Sequence, residues 1–156
     1  MSRIMMPVDN FFRSARRWPK RIAVEILKND RVQTISYGDL AQTVNALAAA
    51  LQAIDPEPQS RVGICAYNNY EHLVAWLATY AAGKVWVPLN PRNGIEELDR
   101  IIALTEPSII FVEGHTPAHS FFFGFRFWFV DTDGHTDDIK HIASRIWWHI
   151  RIQSTR

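Results

Sequence analysis

Two rhythms of apolar and polar positions run along the chain between residues 61 and 113. Short apolar runs at Arg61–Ala66, Val85–Leu89 and Ser108–Val112 have the length of buried strands. Between the first two, Leu73, Trp76, Leu77 and Tyr80 recur at steps of three and four and predict the buried stripe of a helix. Ile95, Leu98, Ile101 and Ile102 do the same between the second and third. Apolar strands alternating with amphipathic helices predict parallel pairing through right-handed crossovers. The joint of this pattern is the stretch Leu77 to Pro91, where Gly83 suits the left-handed position just past a helix and Pro88 and Pro91 close the strand that follows.

Ahead of residue 61 the pattern is more local. Residues 9–18 predict a short helix with Asp9 as N-cap, ended by Pro19. Ile22–Leu27 and Val32–Ile35, joined by the polar turn Lys28–Arg31, predict a hairpin. Ser36 and Asp39 have the spacing of a capping box that opens a longer helix. Its apolar face is Leu40, Val44, Leu47, Ala48 and Leu51, and Pro56 and Pro58 end it. Further along, Asn68 or Asn69 is placed to cap the next helix, Glu96 and Glu97 suit the dipole of the one after, and Pro107 closes that one. The expected fold class is α/β, a mostly parallel sheet flanked by helices and preceded by a short hairpin.

Composition adds limits. A chain of 156 residues, 47% hydrophobic and 21% charged, fits one soluble globular unit. A net charge of +1 gives no overall field that would draw nucleic acid or an anionic membrane. Cys65 is the single cysteine, so no intrachain disulfide forms, and a reducing, cytoplasmic setting is expected. No run approaches the roughly 20 apolar residues that span a bilayer. The opening Met1–Pro7 lacks the apolar core of a signal peptide. The composition shifts near residue 115: nine leucines lie between Leu27 and Leu104 and none follows, and no acid follows Asp138. This divides the chain into 1–115, a partial α/β unit, and 116–156, a tail of different character.

Candidate chemistry is sparse. Cys65 lies inside an apolar strand and reads as a small buried hydrophobe. His72, beside Glu71, has no nucleophile partner in sequence and reads as a boundary residue. His115, His119, Asp131, Asp133 and His135 include metal-ligating types, but Pro117 breaks the helix that would align the two histidines, and no metal site is expected. Asp131–Gly134 lacks the remaining ligands of a calcium loop and predicts a turn. Phe121–Phe129 alternates as a strand, with Phe123, Phe125, Phe127 and Phe129 on one face. Ile139, Ile142, Ala143, Ile146, Trp147 and Ile150 repeat at helical spacing among Lys140, Arg145 and Arg151. That helix would pack on its own protein or a partner, or lie on a membrane surface. The seven glycines are never closer than ten residues, so no glycine-rich phosphate loop exists.

Three stretches, in order, resemble the adenylate-forming (AMP-binding) superfamily. Ile35-Ser-Tyr-Gly-Asp-Leu40 is similar to the motif that opens the first long helix of that family, with Asp39 in the place of a glutamate. Arg61–Asn68 resembles the strand and Asn-containing turn that follow. Ala81-Ala-Gly-Lys-Val-Trp-Val-Pro-Leu-Asn-Pro-Arg92, running into Glu96-Glu-Leu98, is the most specific match, and its Asn-Pro-Arg ending is more like acyl-CoA synthetases than peptide-synthetase adenylation domains. The resemblance covers about residues 9–114, the opening part of a family member, and implies an incomplete N-terminal domain. It implies ATP-dependent activation of a carboxylic acid, such as a fatty acid, through an acyl-adenylate, with ATP, magnesium and CoA as cofactors. The family's phosphate loop, magnesium acid and C-terminal lysine have no counterpart here. No residue of this chain is therefore expected to be catalytic or to ligate metal, no cofactor-binding residue can be assigned, and no cofactor is expected to bind tightly. The rival expectations are a non-catalytic truncated or frameshifted remnant and an interaction module using residues 139–150.

Overall fold

The structure, a computed structural model, describes residues 6–28, 30–113 and 127–130. The chain opens with helix α1 (Pro7–Arg17) and the antiparallel hairpin β1 (Ile22–Lys28) and β2 (Arg31–Ser36). Helix α2 (Tyr37–Ile54) leads into β3 (Arg61–Cys65), α3 (Tyr70–Ala81), β4 (Val85–Leu89), α4 (Ile95–Thr105) and β5 (Ile109–Glu113). Strand β6 (Phe127–Val130) follows. The four later strands form one parallel sheet in the order β4-β3-β5-β6, as the alternating pattern predicts, with helices on its faces.

Alternate residues of each strand serve opposite faces. Val62 and Ile64 of β3, with Ile109 and Phe111 of β5, pack under Leu40, Val44, Ala48 and Leu51 of α2 and Val74, Ala75, Leu77 and Ala78 of α3. Cys65, Val87, Leu89, Ile110 and Val112 look the other way, onto Leu98 and Ile102 of α4. The chain steps from β3 to β4 with its helix on one face, then back across β3 to β5 with its helix on the other. Reversing both direction and face keeps the two crossovers of one hand, as right-handed connections require.

Local chemistry explains the boundaries. Ser36 Oγ accepts the Asp39 N–H at 3.1 Å and donates to the Asp39 carboxylate at 2.6 Å, so Asp39 braces the cap hydroxyl rather than a second amide. Asn69, not Asn68, caps α3, its Oδ1 accepting the His72 N–H at 2.7 Å. At the other end of α3 Gly83 adopts φ +73°, the Gly83 N–H donates to Tyr80 O and the Lys84 N–H to Thr79 O. Those two bonds tie off the last free carbonyls of the helix, and the left-handed residue between them is best supplied by glycine.

Two expectations shift. Asp9 is not the N-cap of α1: the helix starts at Pro7, whose missing N–H costs nothing there, and Asp9 sits in the first turn accepting the Met6 N–H at 2.9 Å. The buried side of α3 is Val74, Ala75, Leu77, Ala78 and Thr79, while Leu73, Trp76 and Tyr80 are half-buried. Small residues let α3 press against both α2 and the sheet, and the large aromatics are pushed to its rim. On α4, likewise, Leu98 and Ile102 are buried while Ile95 is exposed.

Candidate functional site

The reversal of the chain after β4 opens a crevice. The loop after β3 turns to one face of the sheet and the loop after β4 to the other, leaving space between them at the carboxyl ends of the strands. Open α/β sheets bind ligands at such points. Here the space is a cleft of about 410 Å³ whose walls include Tyr67, Asn68 and His72 on one side and Asn90, Arg92 and Asn93 on the other.

The walls are held from below. The Glu113 carboxylate, at the end of β5, accepts the Tyr67 N–H at 2.7 Å and so fixes the turn after β3 to the neighbouring strand. Asn90 Oδ1 accepts the Arg92 N–H at 3.0 Å and Asn90 O accepts the Asn93 N–H at 3.0 Å, which closes the turn after β4. That turn carries the Arg92 guanidinium 5.7 Å from the centre of the Tyr67 ring, a cation–π contact across the mouth of the cleft. Among the described residues, Arg92 is the one charged side chain on the cleft wall.

His72 stands on the first turn of α3. Its Nδ1 lies 3.2 Å from Ala66 O and 3.3 Å from Tyr67 O. Carbonyls only accept, so these partners assign the proton of the neutral ring to Nδ1 and leave Nε2 as the acceptor. Its ring meets the Trp86 indole edge-on, 6.4 Å between centroids, and Trp86 in turn meets Trp76 at 6.0 Å. The Trp86 and Trp76 Nε1–H groups are sealed from solvent without a hydrogen-bond acceptor among the described residues. Cys65 is fully buried beside this site, and its thiol is pushed up to about 11 by burial first and by the Glu113 charge second. A thiol so held stays protonated at neutral pH and is no nucleophile. The cleft thus offers one cation, three amides and an imidazole: groups that bind an anion or a hydrogen-bonding ligand, with no activated nucleophile among them.

The sequence reading assigned no residue to a site, and this constellation escaped it because three separate turns supply the groups. The signal that marks it is the Asn-Pro-Arg turn following a strand after which the crossover changes face. His115, His119, Asp131, Asp133 and His135, the phenylalanines at 121–126, and the basic helix expected at 139–150 lie outside the described residues. Among the described residues no three of His, Cys, Asp and Glu stand close enough to share a metal ion, and no helix is long and apolar enough to cross a membrane.

With the fold and cleft in place, comparison with known proteins identifies the lineage. The sequence profile of AMP-binding enzymes matches residues 11–144, and the chain belongs to that family of adenylate-forming ligases. A feruloyl-CoA synthase of Amycolatopsis sp is 36% identical over 86 residues, covering 55% of this chain and 17% of that protein. The AMB antimetabolite synthetase AmbB of Pseudomonas aeruginosa is 34% identical over 106 residues, covering 68% of this chain and 8% of that one. Among solved structures, the N-terminal subdomain of Klebsiella oxytoca NpsA superposes with a TM-score of 0.68 at 20% identity, over 92% of this chain and 34% of that one. That likeness shows the fold. The chain spans less than a fifth of the length of these two curated relatives.

Proposed function

We propose that the parent activity of this lineage is ATP-dependent activation of a carboxylic acid to an acyl-adenylate followed by transfer to CoA, and that this chain contributes scaffold to it rather than catalytic groups. The observation that carries this reading is the family match over residues 11–144, which takes in the whole strand–helix alternation, together with a cleft that holds binding groups and no reactive ones among the described residues. Adenylation concentrates negative charge on phosphorus-bound oxygens, and stabilising it takes donors converging on one point. Arg92 alone, at the mouth of an open cleft, holds an anion weakly. ATP, magnesium and CoA belong to the parent reaction, and none is held tightly here. The working compartment is the cytoplasm, in keeping with a single buried thiol.

The test is exchange of labelled pyrophosphate into ATP by the purified chain across a panel of aliphatic and aromatic acids. No acid-dependent exchange above background is expected. Acid-dependent exchange would show that the chain carries its own catalytic groups.

A second reading rests on the change in composition. The ending without leucine, and without acid beyond Asp138, suits a remnant whose last segment, beginning near residue 116, is read in a foreign frame. Sequencing the neighbouring DNA decides it, since a downstream frame encoding the family's glycine-rich phosphate loop marks an interruption.

A further inference from the structure

One surface of the described chain is used neither by the core nor by the cleft: the end of α1 together with the β1–β2 hairpin. Between Arg13 and Arg31 the sequence holds seven cations against Glu25 and Asp30, a local surplus of five in a chain of net charge +1. Arg13, Arg16, Arg17, Lys20, Arg21 and Arg31 are exposed, and none forms an ion pair among the described residues. The Arg17 and Arg21 guanidiniums lie 4.9 and 5.4 Å from the centre of the Trp18 ring, which orders two forked donors around one aromatic side chain.

The same surface is greasy. Trp18 is 40% exposed, Ile22 53%, Leu27 74% and Val32 60%. Leu27 and Val32 face each other across the hairpin, directly behind its Lys28–Arg31 closing pair. Their side chains share the outward face, while Val24 and Ile35 turn inward to the α2–α3 core. A hairpin of water-soluble design carries polar residues at such positions.

Cations without carboxylate partners, an exposed tryptophan and a pair of aliphatic side chains near a hairpin tip match one kind of partner. Nucleic acid would engage the cations and leave Leu27, Val32 and Ile22 in water, and guanidiniums already lie against the indole that a base would need. The interface of an anionic bilayer takes both classes at once: phosphates for the cations, the headgroup layer for tryptophan, and the acyl boundary for the aliphatics. We propose that the Trp18 end of α1 and the β1–β2 hairpin dock this protein on the surface of an anionic phospholipid membrane.

The test is co-sedimentation of the full 156-residue chain with vesicles of phosphatidylcholine, with and without one third phosphatidylserine by mole. Binding to the anionic vesicles is expected to exceed binding to neutral ones roughly fivefold or more and to fall as salt is raised. R17E/R21E and L27S/V32S are each expected to lower it by a similar factor with an unchanged circular dichroism spectrum. If the double serine change costs the fold, V32T keeps the branched shape of the side chain and takes its place. Equal binding to neutral vesicles overturns the proposal. So does binding at the original level by both variants, which would put the contact elsewhere. Loss confined to the charge variant, with equal retention on DNA-coated beads, would make the surface a general polyanion site and overturn the membrane reading.

Discussion

The two ends of the parallel sheet are built on opposite plans. At the amino end the strands β3, β4 and β5 begin around Lys84, whose side chain is 1% exposed. Its ammonium donates to Asp55 O, to Glu57 O and to Ser60 Oγ, and lies 3.6 Å from the Asp55 carboxylate. Ser108, ahead of β5, donates from its hydroxyl to the same carboxylate. Every donor of the lysine has an acceptor. At the carboxyl end the turns of Tyr67 and Arg92 stand apart over a cleft, and His72 Nε2 and the side-chain amides of Asn68 and Asn93 have no hydrogen-bond partner among the described residues. One end spends its polar groups on holding strands together; the other keeps them available. Packing is the work of the first end, and the second leaves a cleft open between its turns.

Breaking the closed end carries the largest expected effect. Lys84→Met keeps the bulk of the side chain but strands two carbonyls and a carboxylate. Removing one partner of a buried pair costs several kcal/mol, and because Asp55 keeps some solvent contact a loss of about 3 kcal/mol is expected. Urea unfolding measures it, and a loss below about 1 kcal/mol would mean that water replaces the ammonium at little cost. Acid sharpens the point. Burial tends to raise the Asp55 carboxyl, but the Ser108 and Ser60 hydroxyls, the Glu57 N–H and the Lys84 charge outweigh it and hold it below its ordinary value of 3.8. A carboxyl lowered by folding stabilises fully above the unfolded value and loses that contribution as pH falls through the folded one. Stability should therefore drop on acidification below pH 3.8, and less steeply in Lys84→Met, where the cation no longer favours the carboxylate.

A smaller effect is expected in the middle of the sheet, which joins the two ends. A Cβ on Gly63 would stand 3.1 Å from Leu89 Cδ1 and 3.2 and 3.3 Å from the Ile110 side chain. The glycine lets β4 and β5 bring large side chains over the central strand. Gly63→Val adds two further methyls to that contact, and overpacking of this kind costs about 2 kcal/mol. The melting temperature reports it. An unchanged value would show that α4, the single helix on that face among the described elements, simply lifts away.

Much of this frame is legible in the residues. The cap at Ser36, the stop at Gly83 and the order of strands and helices follow from neighbours in sequence, and local chemistry fixes them. What was not legible is set by residues far apart. Lys84 reads as an ordinary polar residue after a helix, because its acceptors lie 24 to 29 positions away. The buried side of α3 was misplaced because large apolar residues marked the stripe, whereas the tight contact with α2 and the sheet selects Ala75, Ala78 and Thr79. The cleft depends on β3 lying between β4 and β5, and no local pattern states that order.

The open end should tolerate change that the closed end does not. Arg92 is exposed, its backbone N–H rather than its side chain closes the turn, and among the described residues its guanidinium meets only the Tyr67 ring. Arg92→Ala removes one exposed cation–π contact, so a cost of about 0.5 kcal/mol is expected in the same urea experiment. The contrast with Lys84→Met is then roughly sixfold, between two cations at opposite ends of one sheet. A loss above about 1.5 kcal/mol at Arg92 would mean that the guanidinium braces the turn after β3, and the open end would be as structural as the closed one. A loss within the expected range limits the part of Arg92 in the fold to that one exposed contact with Tyr67.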